Sequence, residues 1–499
     1  MDTPMKQLIN ESVLVIGAGI MGAGITQVAA QSGHLVYLFD QKEGAAEKAL
    51  ESIKKTFTTL VSKAKVTEQQ ALDTLSRIHI ITSLEQASQV NLVVEAILEK
   101  LDIKRQLFST LEKIVSSSCV LATNTSSISV TAIANGLNHP ERLVGMHFFN
   151  PVPLMKLVEV VSGLQTSPDV AQAIFNLSLH WGKTPVHAKS TPGFIVNRIA
   201  RPFYAEALAM FQEQMADIVV IDACIKSAGF KMGSFELMDL IGNDTNFAVT
   251  SSVYEAFFFD SRFRPSIVQK EYVDGGLFGR KSGRGFYDYS AGAINPSLPA
   301  FDASQLNLQD PIVLHGQGSI ISLWSEKLVQ LNIPFTQNTQ SDWIGLEVGK
   351  NQLRQTQGNT ASSYGSHVAL FDQILSTPSE HYLAWSISQH ASTTWQTQAP
   401  SWLAHLSYHP LRVKDMPGLI VARTIAMLIN EAADTVNQGV CSRDASNQAM
   451  RLGVNYPAGP FEWLDAWTST GVLKILDGLD HHYKGERYRA SPLLRQLNY

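Results

Sequence analysis

Val13-Leu14-Val15-Ile16-Gly17-Ala18-Gly19-Ile20-Met21-Gly22, followed through to Asp40, is the stretch that decides the fold. Val13 to Ile16 is a short apolar run that stops at Gly17, the pattern of a strand buried in a parallel sheet. Small residues of helical character continue to Ser32, Gly33 ends them, and Leu35 to Phe39 is a second apolar strand closed by Asp40. Strand, turn, helix and strand within roughly 30 residues make a nucleotide-binding unit. Gly17 allows the tight turn, Gly19 lets the backbone approach a pyrophosphate, and Gly22 lets the helix pack closely on the strand. The helix N-terminus presents its positive dipole end to the phosphates. Asp40 can accept from both ribose hydroxyls and would repel a 2′-phosphate, which favours NAD over NADP. Without a cofactor, Asp40 reads as an ordinary turn residue.

Strands and helices go on alternating downstream. Helices are expected at 44–64, 67–75 and 102–114, and strands at 78–81, 92–95, 119–123, 143–147 and 157–161. That alternation predicts a doubly wound sheet over residues 1–190. At Thr191-Pro192-Gly193 the pattern changes to long helical periodicity, and residues 191–290 read as an all-helical domain ending in a glycine-rich stretch. Residues 291–410 read as a polar linker and then a degenerate βα-like segment, with candidate strands at 313–315, 333–335 and 368–371 and no Gly-x-Gly-x-x-Gly.

An internal repeat accounts for the remainder. Pro192-Gly193-Phe194-Ile195-Val196-Asn197-Arg198 resembles Pro417-Gly418-Leu419-Ile420-Val421-Ala422-Arg423, 225 residues later. The same spacing pairs Glu206 with Glu431 and Arg262-Phe263-Arg264 with Arg487-Tyr488-Arg489, while Phe235-Glu236 matches Phe461-Glu462 one residue further on. Ordered matches at near-constant spacing mean that the helical domain occurs twice, the second copy filling residues 411–499.

The chain is 499 residues long, with 39 Lys plus Arg against 44 Asp plus Glu, a net charge of −5 that argues against a nucleic-acid surface. Hydrophobic residues make up 45% and charged residues 17%, so most of the chain is expected to fold. Cys119, Cys224 and Cys441 are too few and too scattered for a disulfide framework or a zinc site, which fits a reducing cytoplasm. Residues 1–11 are polar without a signal-peptide core, and no apolar run is long enough to span a membrane. A cytoplasmic protein without a resident metal, as monomer or homodimer, is expected.

Two polar residues in apolar strands carry the chemistry. His147 ends the strand 143–147, and Glu159 sits within Leu157-Val158-Glu159-Val160-Val161, where both faces look buried. A buried carboxylate needs a partner. A histidine beside it would be oriented and made more basic, as in a catalytic dyad; the alternative is a plain structural ion pair. Ser126, in Asn124-Thr125-Ser126-Ser127, and Asn197 lie at element ends, where caps and turns are the usual explanation. The second helical copy has Ala422 where the first has Asn197, so the helical fold does not require the amide.

Taken in order, the glycine fingerprint, Asn124-Thr125-Ser126-Ser127, His147-Phe148-Phe149-Asn150-Pro151-Val152-Pro153, Glu159 and Pro192 to Arg198 resemble the L-3-hydroxyacyl-CoA dehydrogenases over about residues 1–290. The long form, with its repeated helical domain and the ending Glu486 to Leu494, is similar to bacterial enzymes acting on 3-hydroxybutyryl-CoA or 3-hydroxyadipyl-CoA, the latter in phenylacetate degradation. The resemblance implies a Rossmann-like NAD domain followed by 6-phosphogluconate-dehydrogenase-like helical C-terminal domains. It implies NAD-dependent oxidation of a (3S)-3-hydroxyacyl-CoA in fatty-acid or phenylacetate catabolism, with acyl-CoA as substrate and other pathway enzymes as conceivable partners. His147 would be the general acid/base and Glu159 its partner; Ser126 and Asn197 would hydrogen-bond the oxygen at C3. Asn150 would position the histidine or the nicotinamide, Glu99 and Lys104 would lie near the cofactor ribose, and Lys63 would meet the CoA phosphates. Acyl length and recognition of a second carboxylate stay open. The competing reading is an NAD-binding structural or regulatory protein that has lost catalysis. A bifunctional enzyme would need a further catalytic constellation, which the sequence does not offer.

Overall fold

Val13–Ile16 forms β1, buried at every position, and α1 (Ile20–Gln31) returns the chain to β2 (Val36–Phe39), parallel to β1. The structure is a computed structural model that describes residues 8–9, 11–375 and 381–498. The leader reading rests largely on residues 1–7 and 10, which lie outside the described residues. Two compact units divide the chain, one running to Arg198 and adding Gln438–Val454, the other comprising Ile199–Asn437 and Asn455 onward.

In the first unit α2 (Ala45–Ser62), α3 (Glu68–Ser76) and β3 (Ile78–Ile80) lead to β4 (Leu92–Glu95), α4 (Leu101–Leu111) and β5 (Val120–Thr123). Then come α5 (Val130–Ala134), β6 (Leu143–Phe148), β7 (Leu157–Ser162), α6 (Pro168–His180) and β8 (Thr184–Lys189). The eight strands lie in the order β3-β2-β1-β4-β5-β6-β7-β8, parallel except between β6 and β7. Continuous apolar strands suit a sheet covered on both faces, and Val15, Ile25, Leu38, Phe57, Val94 and Trp181 share one core. Strand order reverses beside β1, so a crevice opens at the carboxyl ends of β1 and β4, the usual ligand position in such sheets.

The late segment Gln438–Val454 completes this unit. Val440 O accepts from Lys189 N at 2.9 Å, and the helix Arg443–Gly453 lies on β7 and β8. A Cβ on Gly453 would come within 2.8 Å of Leu157 Cδ2 and 3.0 Å of Val196 Cγ2, so a larger residue would have to push these side chains aside.

In chain order, α7 (Val196–Ile199) is followed in the second unit by α8 (Arg201–Gln212), α9 (Ile218–Ser227), α10 (Ser234–Ile241), α11 (Asn243–Ala256) and α12 (Ile267–Asp274). A second sheet then forms from β9 (Ile312–His315), β10 (Thr336–Asn338), β11 (Gly345–Val348), β12 (Asn351–Gln355), β13 (Val368–Phe371), β14 (Tyr382–Ile387) and β15 (His409–Arg412). Helices α13 (Ser319–Gln330), α14 (Ala361–Tyr364) and α15 (Thr393–His405) intervene. After the sheet come α16 (Val421–Asn437), α17 (Arg443–Gly453, in the first unit), α18 (Pro460–Tyr483) and α19 (Pro492–Gln496). The strand expected at 333–335 forms at 336–338 instead, set by the pairing of β10 with β9.

The second sheet is a worn copy of the first. Its order, β10-β9-β11-β12-β13-β14-β15, follows β2-β1-β4-β5-β6-β7-β8 position for position, with β11 reversed. Gly316 N donates to Asn338 O as Gly17 N donates to Phe39 O, and both glycines have positive φ. Ile321 stands where Gly22 would be and Thr339 where Asp40 would be. From β13 onward the 225-residue spacing holds in the pairing itself: His147 faces Glu159, and Asp372 lies opposite Ala384. Asp372 accepts from the N–H groups of Ile420, Val421 and Ala422. Burial pushes its carboxyl up to about 6.

The helical copies are bound by reciprocal contacts. Arg262 donates to Glu431 and Arg487 to Glu206, while α8 packs on α16. Equivalent residues exchanging equivalent contacts are the mark of an isologous interface. Helix α9 packs on β14, and Ser227 Oγ accepts from Tyr382 N at 3.0 Å; α17, which begins 225 residues after α9, packs on the first sheet.

Candidate active site

The antiparallel register of β6 and β7 sets His147 opposite Glu159, and His147 Nδ1 lies 2.6 Å from Glu159 Oε2. Glu159 is fully buried and His147 is 5% exposed, so the carboxylate's charge has to be met locally. Its other oxygen, Oε1, accepts from Ile195 N at 2.9 Å and Val196 N at 3.0 Å. One carboxylate therefore fixes the ring and the first turn of the helix that carries Asn197. With Nδ1 engaged, Nε2 is the ring atom left for a reacting group. Phe149 and Phe194 wall the imidazole, with ring centroids 4.6 and 5.8 Å away. Phe194 holds φ +45°.

Ser126 joins this group through its backbone. Asn197 Nδ2 approaches Ser126 O at 3.5 Å, and Phe148 N donates to Asn124 Oδ1 at 2.8 Å, tying the Ser126 loop to the end of β6. Glu99 holds the loop from the opposite side. Its Oε1 accepts from Thr125 Oγ1 at 2.6 Å, Ser126 N at 2.9 Å and Ser127 N at 3.0 Å. Burial works against the Glu99 carboxylate, but Lys104 and the donors from Thr125 and Ser126 outweigh it and hold its pKa below the ordinary range. Lys104 is 1% exposed and bridges Glu95 at 2.5 Å and Glu99 at 3.2 Å. Glu95, at the buried end of β4, also accepts from Thr123 Oγ1 and Ile97 N. Sequence reasoning did not single out Glu95, Thr123 or Asn124; an acid closing an apolar strand was the available signal for Glu95.

Gly17 and Gly19 line a cleft of about 1100 Å³, with Asp40, Ala96, Ile97 and Glu99 among its walls. Gly17 has φ +102°, and a Cβ there would lie 2.5 Å from Ala96 O; one on Gly22 would lie 1.7 Å from Gly17 O. A Cβ on Gly19 would meet nothing within 4 Å, so the open face of the turn is there. Helix α1 has no side-chain cap, which leaves its first N–H groups for a ligand. Asp40 Oδ2 accepts from Ala18 N at 2.6 Å and Oδ1 from Lys42 N at 2.8 Å, which places the carboxylate at the rim of the turn. These features fit a dinucleotide with free ribose hydroxyls. Asn150 is exposed and followed by a cis peptide to Pro151, and Lys63 is exposed at the C-cap of α2. No group of three or more His, Cys, Asp or Glu suited to a metal ion occurs among the described residues, and no described helix is long and apolar enough to cross a membrane.

The returning segment reaches the same region. Arg198 Nη1 donates to Gln438 Oε1 at 2.9 Å, and burial, with the negative charge of Glu159 adding to it, pushes the Cys441 thiol up to about 12. Nothing in the sequence pointed to residues 438–454 as neighbours of Glu159.

Comparison with known proteins follows the same division. The family model described as 3-hydroxyacyl-CoA dehydrogenase, NAD binding domain, matches residues 12–191. The model for the 3-hydroxyacyl-CoA dehydrogenase C-terminal domain matches twice, at 193–289 and 418–498. The chain is 40% identical over 487 residues to the 3-hydroxyadipyl-CoA dehydrogenase of Escherichia coli (strain K12), covering 97% of each. It is 41% identical over 280 residues to a probable 3-hydroxybutyryl-CoA dehydrogenase of Bacillus subtilis, covering 56% of this chain and 97% of that one. The crystal structure of an Escherichia coli 3-hydroxybutyryl-CoA dehydrogenase superposes with a TM-score of 0.88 at 40% identity, covering 97% of this chain and 98% of that one.

Proposed function

The chain belongs to the 3-hydroxyacyl-CoA dehydrogenase family of NAD-dependent oxidoreductases, and from that premise we propose that it oxidises the C3 hydroxyl of a (3S)-3-hydroxyacyl-CoA to the 3-oxoacyl-CoA, the acyl group being 3-hydroxybutyryl or 3-hydroxyadipyl. The observation that carries this reading is the contact of His147 Nδ1 with Glu159 Oε2 at 2.6 Å, opposite each other in the β6–β7 register. The Gly17–Gly22 turn would hold the pyrophosphate of NAD, whose nicotinamide would supply the acceptor for the hydride leaving C3. His147 Nε2 takes the hydroxyl proton, and Glu159 holds the ring and stabilises the imidazolium that results. Ser126 and Asn197 donate to the C3 oxygen, where negative charge develops in either direction. Asp40 and Glu99 bind the cofactor riboses, Lys104 fixes Glu99, Asn150 positions the nicotinamide side, and Lys63 meets the CoA phosphates.

The second half plays a structural part in this reading. Ile321, Thr339, Asp372 and Ala384 stand in its βα segment, and Ala422 in α16, at the positions of Gly22, Asp40, His147, Glu159 and Asn197, so fingerprint and dyad are both dismantled. It takes the place a second subunit would hold, and the protein acts as a cytoplasmic monomer or as a homodimer formed through another surface. The test is the loss of NADH absorbance with acetoacetyl-CoA. Turnover that is lost in His147→Ala while NADH still binds supports the reading; equal turnover in that variant overturns it, and NADH binding without any turnover in the parent protein favours the non-catalytic alternative.

A further inference from the structure

The worn second sheet keeps a crevice of its own. β9, β12 and β13 run in one direction, and the residues that follow them line a cavity of about 680 Å³ within the second unit. The carboxyl ends of strands are the usual ligand position in such sheets, and small-molecule pockets measure roughly 300–1,000 Å³. One wall is Gly318 and the start of α13. Gly318 has φ +112°, and a Cβ there would meet nothing within 4 Å, as at Gly19. Helix α13 is 12 residues long and has no side-chain cap, so its first N–H groups are left for an acceptor.

Gln355 points to a ligand independently. It closes β12, and register sets it where the first sheet has Asn124. Its N–H donates to Ile344 O at 2.8 Å, as the Asn124 N–H donates to Glu95 O at 2.8 Å. The amide is kept but its partner is not. Asn124 Oδ1 accepts from Phe148 N, whereas Gln373 N, the counterpart of that N–H, donates to Asp372 Oδ1. Gln355 lines the cavity, is only 8% exposed, and its Nε2 donates to no group among the described residues. A buried donor left unmet is costly, and an acceptor entering the cavity would meet it.

The remaining wall comes from α18. Trp467, half-buried, presents an indole, a surface on which nucleobases stack. Lys474 is exposed on the same helix and has no ion-pair partner among the described residues. Glu462 is the acid among the lining residues, and its Oε2 accepts from Gly459 N at 2.9 Å at the start of α18. No histidine or cysteine lines the cavity, so its contents point to binding without a reaction. With Ile321 in place of Gly22 and Thr339 in place of Asp40, the features that suit a full dinucleotide are gone.

We propose that this cavity binds a nucleoside phosphate, its phosphate taken by the N-terminus of α13 and by Lys474, its base by the Trp467 indole, and one of its acceptors by Gln355 Nε2. The site is separate from the cofactor cleft and does not rest on the dehydrogenase reading.

The test is a calorimetric titration of ADP into the full-length protein saturated with NADH, with NADH fluorescence followed in parallel. One ADP per chain is expected to bind without displacing NADH, and its Kd is expected to rise at least tenfold in Lys474→Glu or in Gln355→Leu, with NADH binding unchanged. No binding of ADP, ADP that only displaces NADH, or a Kd unchanged in both variants overturns the proposal. Two NADH per chain would show that the cavity takes a dinucleotide and also overturns it. So does inorganic phosphate binding as tightly as ADP, since nothing beyond the anion would then be recognised. Should Gln355→Leu fold poorly, Lys474→Glu decides, because Lys474 is on the surface.

Discussion

Arg262 Nη1 donates to Glu431 Oε2 at 3.1 Å across 169 residues of chain, joining the first helical copy to the second. The counterpart contact, Arg487 to Glu206, repeats it with the copies exchanged. A single polypeptide thus holds the two-fold contact that would otherwise join two identical subunits. Glu206 is also bound by Arg423 Nε at 2.7 Å and by Tyr488, so both of its carboxylate oxygens are engaged.

Removing one member of this buried network should be costly. Glu206→Gln leaves Arg423 and Arg487 without their shared carboxylate, and the expected loss is about 3–5 kcal/mol in urea unfolding. Burial opposes the Glu206 charge, but Arg487 and Arg423 outweigh it and lower its pKa in the folded state. A lowered carboxylate pKa gives stability that is present above the unfolded value near 4.3 and is lost as pH falls through the folded one. Urea midpoints measured from about pH 3 to 6 should therefore fall less steeply in Glu206→Gln than in the parent protein.

The dyad separates chemistry from binding. His147→Ala is expected to lower kcat for acetoacetyl-CoA reduction by about 10²–10⁴-fold with NADH affinity within a factor of about three. Glu159→Gln keeps a hydrogen-bonding side chain across from His147 but loses its charge, and kcat should fall by about tenfold or more. Stopped-flow reduction and NADH fluorescence titration read the two quantities independently.

At the glycine turn the expectation is steric. In Gly22→Ala the new methyl would lie 1.7 Å from Gly17 O, so α1 must move off the turn. The KM for NADH should rise at least tenfold with a lowered melting temperature. Asp40→Asn removes the charge that opposes a 2′-phosphate, and the ratio of NADH to NADPH efficiency should fall.

The returning helix can be tested by filling its closest approach. Gly453→Leu puts a side chain against Leu157 and Val196, next to the strand and the turn that Glu159 joins. Overpacking of this kind costs about 1–3 kcal/mol, and kcat should fall with it. A 1–290 fragment lacks the helix altogether and should associate, each copy lending its own α9 to β7 and β8 of the other. Light scattering that finds a folded, active monomer would count against this arrangement.

Much of the first sheet was legible because several of its strands are short runs dominated by apolar residues, as at Val13–Ile16 and Val120–Thr123. Strand β8 was not, since Thr184-Pro185-Val186-His187-Ala188-Lys189 carries a proline and two basic residues and forms through its pairing with β7. The second sheet was mostly hidden for a related reason. Strands such as Thr336–Asn338 and Asn351–Gln355 are largely polar, and the resemblance to the first sheet lies in register: Asp372 and Ala384 show no similarity to His147 and Glu159 until the pairing aligns them. Among candidate site residues, His147 and Glu159 could be paired from burial alone, because a carboxylate amid four apolar neighbours demands a partner. Glu95 and Gln438 could not, since their partners are fixed by loops and by a segment far along the chain.

The return of Gln438–Val454 to the first sheet also bears on synthesis. Domains of a growing chain generally fold as they emerge, amino end first. Here the sheet that carries His147 and Glu159 waits for a helix encoded some 250 residues downstream of its last strand, so the face of β7 and β8 that this helix covers stays open until Val454 has been made. Activity on the ribosome should thus appear late and abruptly, and nascent chains halted before that point are the ones most in need of a chaperone.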